Sequence, residues 1–275
     1  MSFDLSAPSG HLVAARDTEP AAVPGHSFRI VADAAGTGGA FSLTEAVSPA
    51  GAAVGWHAHD AAVECFYVLE GVYRMNVGGA VHEAGPGDFT LIPRSSPHGF
   101  EVVEGEARAV VLFAPAGFET VFRRMPEIFG TPGEPGGPVW DAANRQAATR
   151  LLDGPGPGPA ALVRPAAAAS DAKTTLAETS ATGTGLDIAL RKDAQAFSAW
   201  TPGPDTAAVC VLRGRYRFEL PELTLTAGEG EYLALPGDAT AAATVRAVAL
   251  TPDSRALVLS LVDRTHHHRT AEPRP

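Results

Sequence analysis

The chain repeats part of its own sequence, and the repeat holds its spacing without a gap. Residues 68–75 read VLEGVYRM, and residues 211–218, which lie 143 positions later, read VLRGRYRF. Turn and strand residues match at this same offset, among them Gly71 with Gly214, Tyr73 with Tyr216, Gly87 with Gly230, and Pro93 with Pro236. Self-similarity at a constant spacing is the signature of a duplicated structural unit. The sequence therefore predicts two tandem copies of one domain.

The apolar segments of both copies are short and rich in β-forming residues. The first copy contains FRIVADA, FSLTEAV, VECFYVL and DFTLIP, and the second contains LDIAL, AAVCVL, RYRFEL and RALVLSLV. Gly (29 residues) and Pro (23 residues) punctuate the chain between such runs. Short strands separated by turn residues at regular intervals are typical of an antiparallel sandwich or barrel. The predicted fold class is all-β, with a few short helices in the segment that joins the two β domains.

Changes of composition along the chain predict five segments. They are an N-terminal arm (1–27), a first β domain (28–130), a linker rich in Pro, Gly and Ala (131–170), a second β domain (171–264) and a flexible tail (265–275). The linker is predicted to carry one helix.

Two amphipathic stretches predict helices. In residues 118–129, apolar side chains recur at the spacing of one helical face, with Phe118 and Phe122 among them. The second stretch is residues 140–152, where Asp141 could cap the start of a helix and Gly154 would end it. We expect the first helix to lie against the first β domain.

The charge balance and the apolar runs exclude several classes of protein. Asp and Glu (31) outnumber Lys and Arg (21), and a net charge of −10 without a basic stripe argues against nucleic acid as a partner. The start MSFDLSAPSG lacks the basic and apolar regions of a secretory signal, and no apolar run is long enough to span a membrane. Cys65 and Cys210 lie in separate apolar runs, which favours buried thiols over a disulfide framework. These features predict a cytoplasmic protein.

Three potential metal ligands lie within eight residues of the first copy. In the sequence GWHAHDAAVECFYVLEG, His57 and His59 are two apart, so both imidazoles face one side of a strand. Glu64 begins the next strand, where a hairpin would return it beside the pair. His98, at the start of another strand in IPRSSPHGF, offers a fourth donor. Three imidazoles and one carboxylate suit a divalent transition metal, namely iron, manganese, nickel, cobalt, copper or zinc, and we expect one ion per chain.

These residues resemble the motifs of the cupin superfamily. The first cupin motif is a Gly, five residues, His-x-His, three or four residues, Glu, six residues and a Gly, and Gly51, His57, His59, Glu64 and Gly71 fit it. The second motif is matched at three positions, Gly87, Pro93 and His98, but Ser95 replaces its second Gly and Val102 its Asn. The resemblance implies two tandem jelly-roll domains, a bicupin similar to quercetin 2,3-dioxygenase-like proteins.

The second copy lacks the ligands. The offset of 143 places Trp200, Pro202, Ala207 and Ala241 where the first copy has its three histidines and its glutamate. The repeat is thus expected to keep the barrel and to lose the metal. Because a tandem cupin can pair its domains within one chain, both a monomer and a homodimer are consistent with the sequence.

Strand alternation also predicts a substrate cavity around the metal. The side chains expected to line it are apolar and mostly aromatic: Phe41, Leu43, Phe66, Val68, Phe100, Phe118 and Phe122. We expect a small-molecule substrate.

The resemblance implies an enzyme, a metal-dependent oxygenase. Its metal would bind an enolic aromatic or β-dicarbonyl compound, and Glu64 would act as ligand and as catalytic base. Dioxygen would be the second reactant. A metal-dependent isomerase, cyclase or decarboxylase without redox chemistry is the first alternative, and a non-catalytic metal-containing binding module is the second.

Overall fold

Two compact units make up the chain in the computed structural model. The structure describes residues 11–23, 26–129, 138–166, 172–202, 206–235 and 245–261. The first unit comprises Thr18–Asp33 and Phe41–Ala168, and the second comprises Met1–Asp17, Ala34–Ala40 and Ala169–Pro275. The predicted tail (265–275), Pro236 and Ala241 lie outside the described residues. The five segment boundaries inferred from composition stay predictions.

Ten strands of the first unit lie in the described residues. They are β2 (Ala21–Val23), β3 (His26–Ala32), β4 (Ser42–Ser48), β5 (Ala53–His59), β6 (Val63–Val77), β7 (Ala80–Ala84), β8 (Phe89–Ile92), β9 (His98–Ala114), β10 (Thr149–Leu151) and β11 (Leu162–Arg164). The long strands β6 and β9 pair with each other along most of their length. These two strands lie side by side at the centre of the sheet.

Both long strands take part in two layers. The first half of β6 and the second half of β9 belong to the layer β11-β8-β6-β9-β4-β3-β2, whereas their other halves pair with β7 and β5. Apolar side chains from the two layers meet in one buried core that includes Phe66, Val102 and Phe113. This is the double-layered arrangement predicted for a jelly roll.

Gly71 lies where β6 bends from one layer to the other. The register with β9 shifts between Val68 and Tyr73, and Gly71 has φ +71°. A Cβ at this position would lie 2.6 Å from the Cα of Ala107. Only glycine combines that backbone conformation with so close an approach of the neighbouring strand.

The second unit contains the other ten strands that the structure describes. They are β1 (His11–Ala14), β12 (Lys173–Ala177), β13 (Leu186–Asp193), β14 (Ala199–Trp200), β15 (Thr206–Arg213), β16 (Arg215–Glu219), β17 (Thr224–Gly228), β18 (Glu231–Ala234), β19 (Arg246–Ala249) and β20 (Ser254–Leu261). They form a six-stranded sheet, β1-β18-β15-β20-β13-β12, and a four-stranded sheet, β14-β19-β16-β17. Strand β1 comes from the predicted N-terminal arm and pairs with β18.

The two units repeat the same plan. Strands β15 and β16 meet at Gly214, which has φ +77° and corresponds to Gly71. Where β6 and β9 bend continuously, the second unit divides each into two strands, and its layers become separate sheets. The all-β fold class and the jelly-roll architecture predicted from the sequence are confirmed.

Four short helices accompany the strands in the described residues. They are α1 (Ala34–Thr37), α2 (Glu119–Phe129), α3 (Pro138–Gln146) and α4 (Thr179–Thr182), and Ala15–Asp17 form a 3-10 turn. Helix α2 covers the first predicted helix, and Phe122 packs into the core of the first unit. The second predicted helix is shorter than expected, because Thr149–Leu151 leave the helical path and pair with β5.

Two further sequence predictions concern location. No helix within the described part of the chain is both long and apolar enough to cross a membrane. Cys65 and Cys210 are both buried and form no disulfide with each other. The cytoplasmic location stays a prediction.

Candidate metal centre

His57, His59, Glu64 and His98 converge at one point inside the first unit. His57 and His59 extend from the same face of β5, Glu64 begins β6, and His98 begins β9 directly opposite His57. The imidazole centroid of His57 lies 4.1 Å from that of His98 and 4.9 Å from that of His59. Each residue is at most 7% exposed. One potential ligand atom from each of the four lies within 4.8 Å of the others.

The outer nitrogens of the three imidazoles are already engaged. Nδ1–H of His57 donates to the carbonyl oxygen of Gly55 (2.8 Å), and Nδ1–H of His98 donates to that of Ser96 (2.9 Å). Nδ1 of His59 is hydrogen-bonded to the hydroxyl of Thr149 (2.9 Å). A carbonyl only accepts, so the bonds of His57 and His98 place a proton on Nδ1 and direct Nε2 into the group. Such bonds orient histidines for metal binding.

The inner nitrogens of two imidazoles face the carboxylate of Glu64. Nε2 of His98 lies 3.0 Å from a carboxylate oxygen of Glu64, and Nε2 of His59 lies 3.3 Å from the same oxygen. The latter nitrogen is buried and makes no hydrogen bond with any described residue. Lone pairs of neutral imidazoles facing a carboxylate repel each other unless a cation lies between them. Three nitrogen donors and one oxygen donor could therefore hold a divalent transition metal, as the sequence predicted.

The protonation states of the group favour a cation as well. Burial, and then the nearby His98 and His59 rings, lower the pKa of His57 to about 3. Burial likewise lowers the pKa of His59. Burial alone would raise the pKa of Glu64, but its contacts with His59 and His98 outweigh that effect and hold the pKa below its usual range. At neutral pH the group thus offers neutral imidazoles at His57 and His59 and an ionised carboxylate at Glu64, the forms that bind metals.

The segment predicted as a linker supports the metal centre, and sequence reasoning missed this. Strand β10 pairs with β5 and places Thr149 opposite His59. Arg150, the next residue of β10, donates from Nε to the carboxylate of Asp60 at 2.7 Å. Asp60 directly follows His59. No periodicity in this three-residue strand distinguishes it from the end of the preceding helix. Only its pairing with β5 defines it.

The turn before His98 is also held in place by residues from outside it. Ser95, which replaces a glycine of the second cupin motif, has φ +59°. Its N–H donates to the carbonyl of His59 and its hydroxyl to Asp60, both at 2.8 Å. The hydroxyl of Ser96 donates to the carbonyl of Pro159 at 2.7 Å. These bonds offset the backbone strain of a left-handed serine, and the turn keeps its place without the motif's glycine.

A cavity of about 200 Å³ opens beside the four residues, with His57 and Glu64 in its wall. Seven of the residues that line it carry Phe, Tyr or Trp rings: Phe28, Phe66, Tyr73, Phe100, Phe118, Phe122 and Trp140. Four of the predicted substrate-binding residues are thus brought together around it, namely Phe66, Phe100, Phe118 and Phe122. Val68 is buried in the neighbouring core and is not part of the wall.

Phe41 and Leu43 do not line the cavity, which corrects the expectation for that strand. Ala46 and Ser48 of β4 are in the wall, and alternation places Ser42 and Thr44 on the same face. Leu43 is fully buried but on the opposite face. Both faces of β4 carry buried residues, so its sequence does not show which of the two faces points into the cavity.

Tyr73 is a polar part of the cavity wall that sequence analysis treated only as a mark of the repeat. It is 1% exposed, and its hydroxyl has no hydrogen-bond partner among the described residues. Burial raises the pKa of Tyr73 well above its usual range, so the hydroxyl stays protonated and can donate. Two further polar side chains in the wall are Ser48 and Asn144. No Lys or Arg appears among the described residues that line this cavity.

The second unit has no equivalent cluster within its described residues. Trp200 pairs with Ala247, and the corresponding pair in the first unit is Val54 with Phe100. Trp200 is therefore the structural counterpart of Val54, not of His57 as the constant offset suggested. The loop between the strands changes length, which shifts the alignment there.

Comparisons with known proteins agree with this arrangement. Residues 44–115 match the family model of the cupin domain. Quercetin 2,3-dioxygenase from Bacillus subtilis is 32% identical over 97 residues, which are 35% of this chain and 29% of the dioxygenase. The match thus spans less than a third of that protein's length, and it includes neither whole chain. The similarity to the cupin superfamily predicted from the motifs is confirmed.

Solved structures resemble almost the whole chain. A variant of oxalate decarboxylase from Bacillus subtilis aligns with TM-score 0.62 and 14% identity, covering 92% of this chain and 77% of its own. A bacterial pirin from Escherichia coli in complex with nickel(II) aligns with TM-score 0.61 and 14% identity, covering 92% and 99%. At such identities the likeness establishes the fold alone.

Proposed function

We propose that this chain, which carries a cupin domain with a three-histidine, one-glutamate group, is a metal-dependent oxygenase. Its substrates would be dioxygen and a small enolic aromatic or β-dicarbonyl compound. His57, His59, His98 and Glu64 would hold the metal. The similarity of 97 residues of this chain to quercetin 2,3-dioxygenase supports an oxidative reaction.

One observation carries this proposal: the buried ligand group opens on an apolar, aromatic cavity. Walls of this kind bind flat apolar compounds by contact and by ring packing. They offer no Lys or Arg, among the described residues, to neutralise a free carboxylate. A planar neutral compound with an ionisable enol fits this surface better than a small dianion does.

Glu64 is the group suited to take the proton of the enol. Its carboxylate is ionised, is only 5% exposed, and lies in the wall of the cavity. A bound metal would supply Lewis acidity, lower the pKa of a hydroxyl that it contacts, and orient the two reactants. Nδ1 bonds to Gly55, Ser96 and Thr149 keep the three imidazoles in place while the proton moves to Glu64.

The aromatic walls have a second role, which is to exclude water. Phe113 stacks on Phe118 at 4.4 Å between centroids, and Phe118 meets the ring of His59 at 4.6 Å. Phe118, which directly precedes α2, therefore brings an apolar ring directly onto one of the imidazoles. Exclusion of water strengthens electrostatic interactions inside the site and limits side reactions of an oxidised intermediate.

Oxygen uptake by metal-loaded protein tests the proposal. Elemental analysis should find close to one transition metal atom per chain. An oxygen electrode should then record uptake in proportion to the loss of a single-ring enolic aromatic compound or a β-diketone. The variant His59→Ala should lose both, whereas His82→Ala, a histidine of the same unit outside the group, should keep both.

Anaerobic turnover separates the alternatives. If substrate is consumed equally well without oxygen, the protein is a non-redox isomerase, cyclase or decarboxylase and the oxygenase proposal is wrong. If metal is bound but no compound of either class is consumed, the chain is a binding module.

A further inference from the structure

The second unit shows which side chains can occupy the space that is the cavity in the first unit. Residues 107–114 (ARAVVLFA) correspond to residues 254–261 (SRALVLSL). In the first unit Ala46 pairs with Ala109 and Ser48 with Ala107, and in the second Arg191 pairs with Ala256 and Asp193 with Ser254. Ala46 and Ser48 of the cavity wall are therefore the counterparts of Arg191 and Asp193.

In the second unit these larger side chains bind one another. The guanidinium of Arg191 donates to Asp193 at 2.6 Å and lies 5.5 Å from the ring centre of Trp200. The hydroxyl of Tyr216 donates to the other oxygen of Asp193 at 2.8 Å. Arg191, Asp193 and Trp200 thus stand where the first unit has Ala46, Ser48 and Val54.

The first unit keeps the tyrosine and lacks its acceptor. Tyr73 pairs with Val102 as Tyr216 pairs with Ala249, so the two tyrosines are equivalent in register as well as in sequence. With Asp193 replaced by Ser48, whose hydroxyl lies 2.7 Å from Nδ1 of His26, the Tyr73 hydroxyl has no partner among the described residues. Buried hydroxyls in folded proteins almost always have one.

We propose that Tyr73 donates a hydrogen bond to an oxygen of the bound substrate, in the place that the Asp193 carboxylate takes beside Tyr216. This inference rests on the proposed function, since it concerns the substrate of the same cavity. It identifies the substrate as a compact molecule with two polar ends, one at the metal group and one at Tyr73.

The charges around Tyr73 define the second polar end. Asp193 is a carboxylate that Arg191 neutralises, whereas the counterpart of Arg191 is Ala46. A ligand carboxylate beside Tyr73 would lack that cation. The acceptor is therefore a neutral oxygen, such as a carbonyl, a hydroxyl or a ring oxygen.

The size of the cavity defines the body of the substrate. Its volume of about 200 Å³ is only moderately larger than the roughly 150 Å³ that hold a benzene molecule, and is below the usual range for larger ligands. The rings of Phe66 and Tyr73 lie 5.4 Å and 5.5 Å from that of Phe100 and form one continuous aromatic wall. A single planar ring fits this space, and the three rings of a flavonol exceed it.

Anaerobic binding of two single-ring enolones tests the inference. Kojic acid carries oxygens beyond its metal-binding pair, whereas tropolone has the metal-binding pair alone. With nickel-loaded protein, calorimetry should show that Tyr73→Phe weakens kojic acid binding about three- to tenfold, the effect of one lost hydrogen bond. Tropolone binding should change by less than about twofold.

The opposite results would overturn the inference. Equal effects of Tyr73→Phe on both probes, or none on either, would mean that Tyr73 bonds to water or only packs. Failure of kojic acid to bind the wild-type protein would also reject it. Since binding is measured without oxygen or turnover, a differential effect would support the role of Tyr73 even if oxygenase activity were absent.

A second variant tests the filling of the cavity independently. Ala46→Arg combined with Ser48→Asp introduces the residues found at the equivalent positions of the second unit. Because this pair would occupy the cavity beside Tyr73, kojic acid affinity should fall at least about tenfold while metal per chain is unchanged. Unchanged kojic acid affinity would show that the probe binds elsewhere.

Discussion

Nδ1 of His59 lies 2.9 Å from Oγ1 of Thr149, although 90 residues separate the two in the chain. The bond joins a strand of the first cupin motif to a strand that sequence analysis assigned to the linker. It holds one imidazole with its Nε2 toward Glu64. The metal centre therefore depends on a residue outside the motifs that identify it.

Thr149→Val should weaken metal binding about tenfold or more, because it removes the hydroxyl that orients His59 while keeping the shape of the side chain. Competition with a chelator of known affinity measures the change. Thr149→Ser, which keeps the hydroxyl, is the matched control and should bind metal nearly as well as the wild type. Equal affinity of the valine and serine variants would show that the bond is dispensable.

His59→Ala should remove most of the bound metal and leave the protein folded, because the remaining three donors bind far more weakly. Elemental analysis and circular dichroism measure the two effects. His82→Ala provides the control, since His82 is bonded to Thr90 away from the group. Full metal content in His59→Ala would place the metal elsewhere.

Gly71→Ala should destabilise the first unit more than Gly51→Ala does, although both glycines belong to the first cupin motif. Both have positive φ (+71° and +79°), which costs a substituted alanine about 1–2 kcal/mol. Only at Gly71 would the new Cβ also meet backbone, 2.7 Å from the carbonyl oxygen of Glu106. Chemical denaturation of the two variants compares the free energies of unfolding, and equal losses would mean that the neighbouring strand yields.

Asp193→Ala should destabilise the second unit by about 3 kcal/mol or more, because it leaves Arg191 without its counter-ion and Tyr216 without its acceptor. Metal content should stay unchanged, since the ligands lie in the other unit. Glu83→Gln is the control: its ion pair with Arg74 is about half exposed on both sides, and its loss should cost less than about 1 kcal/mol. A similar stability loss in both variants would show that the buried pair contributes no more to the free energy of unfolding than the exposed pair does.

Sequence alone determined the duplication, the all-β fold class and the four candidate ligands. Each of these depends on a short-range regularity. Side chains two apart on a strand share a face, so His57 and His59 could be paired on spacing alone. Glycines at the bends, such as Gly71 and Gly214, kept their positions because no other residue suits the backbone there.

Tertiary structure decided the features that depend on contacts between distant segments. One such feature is which face of β4 points into the cavity. Phe41 and Leu43 are as buried as the residues that face the cavity, so the sequence lacks the alternation of apolar and polar residues that would identify the inward face. The contribution of Thr149 is another, because a three-residue strand has no pattern of its own and exists only through its pairing with β5. The difference between Tyr73 and Tyr216 is the third. The two tyrosines occupy the same register, but only the hydroxyl of Tyr216 has a hydrogen-bond acceptor among the described residues. That acceptor, Asp193, comes from a separate strand, and the equivalent strand of the first unit leaves the space open.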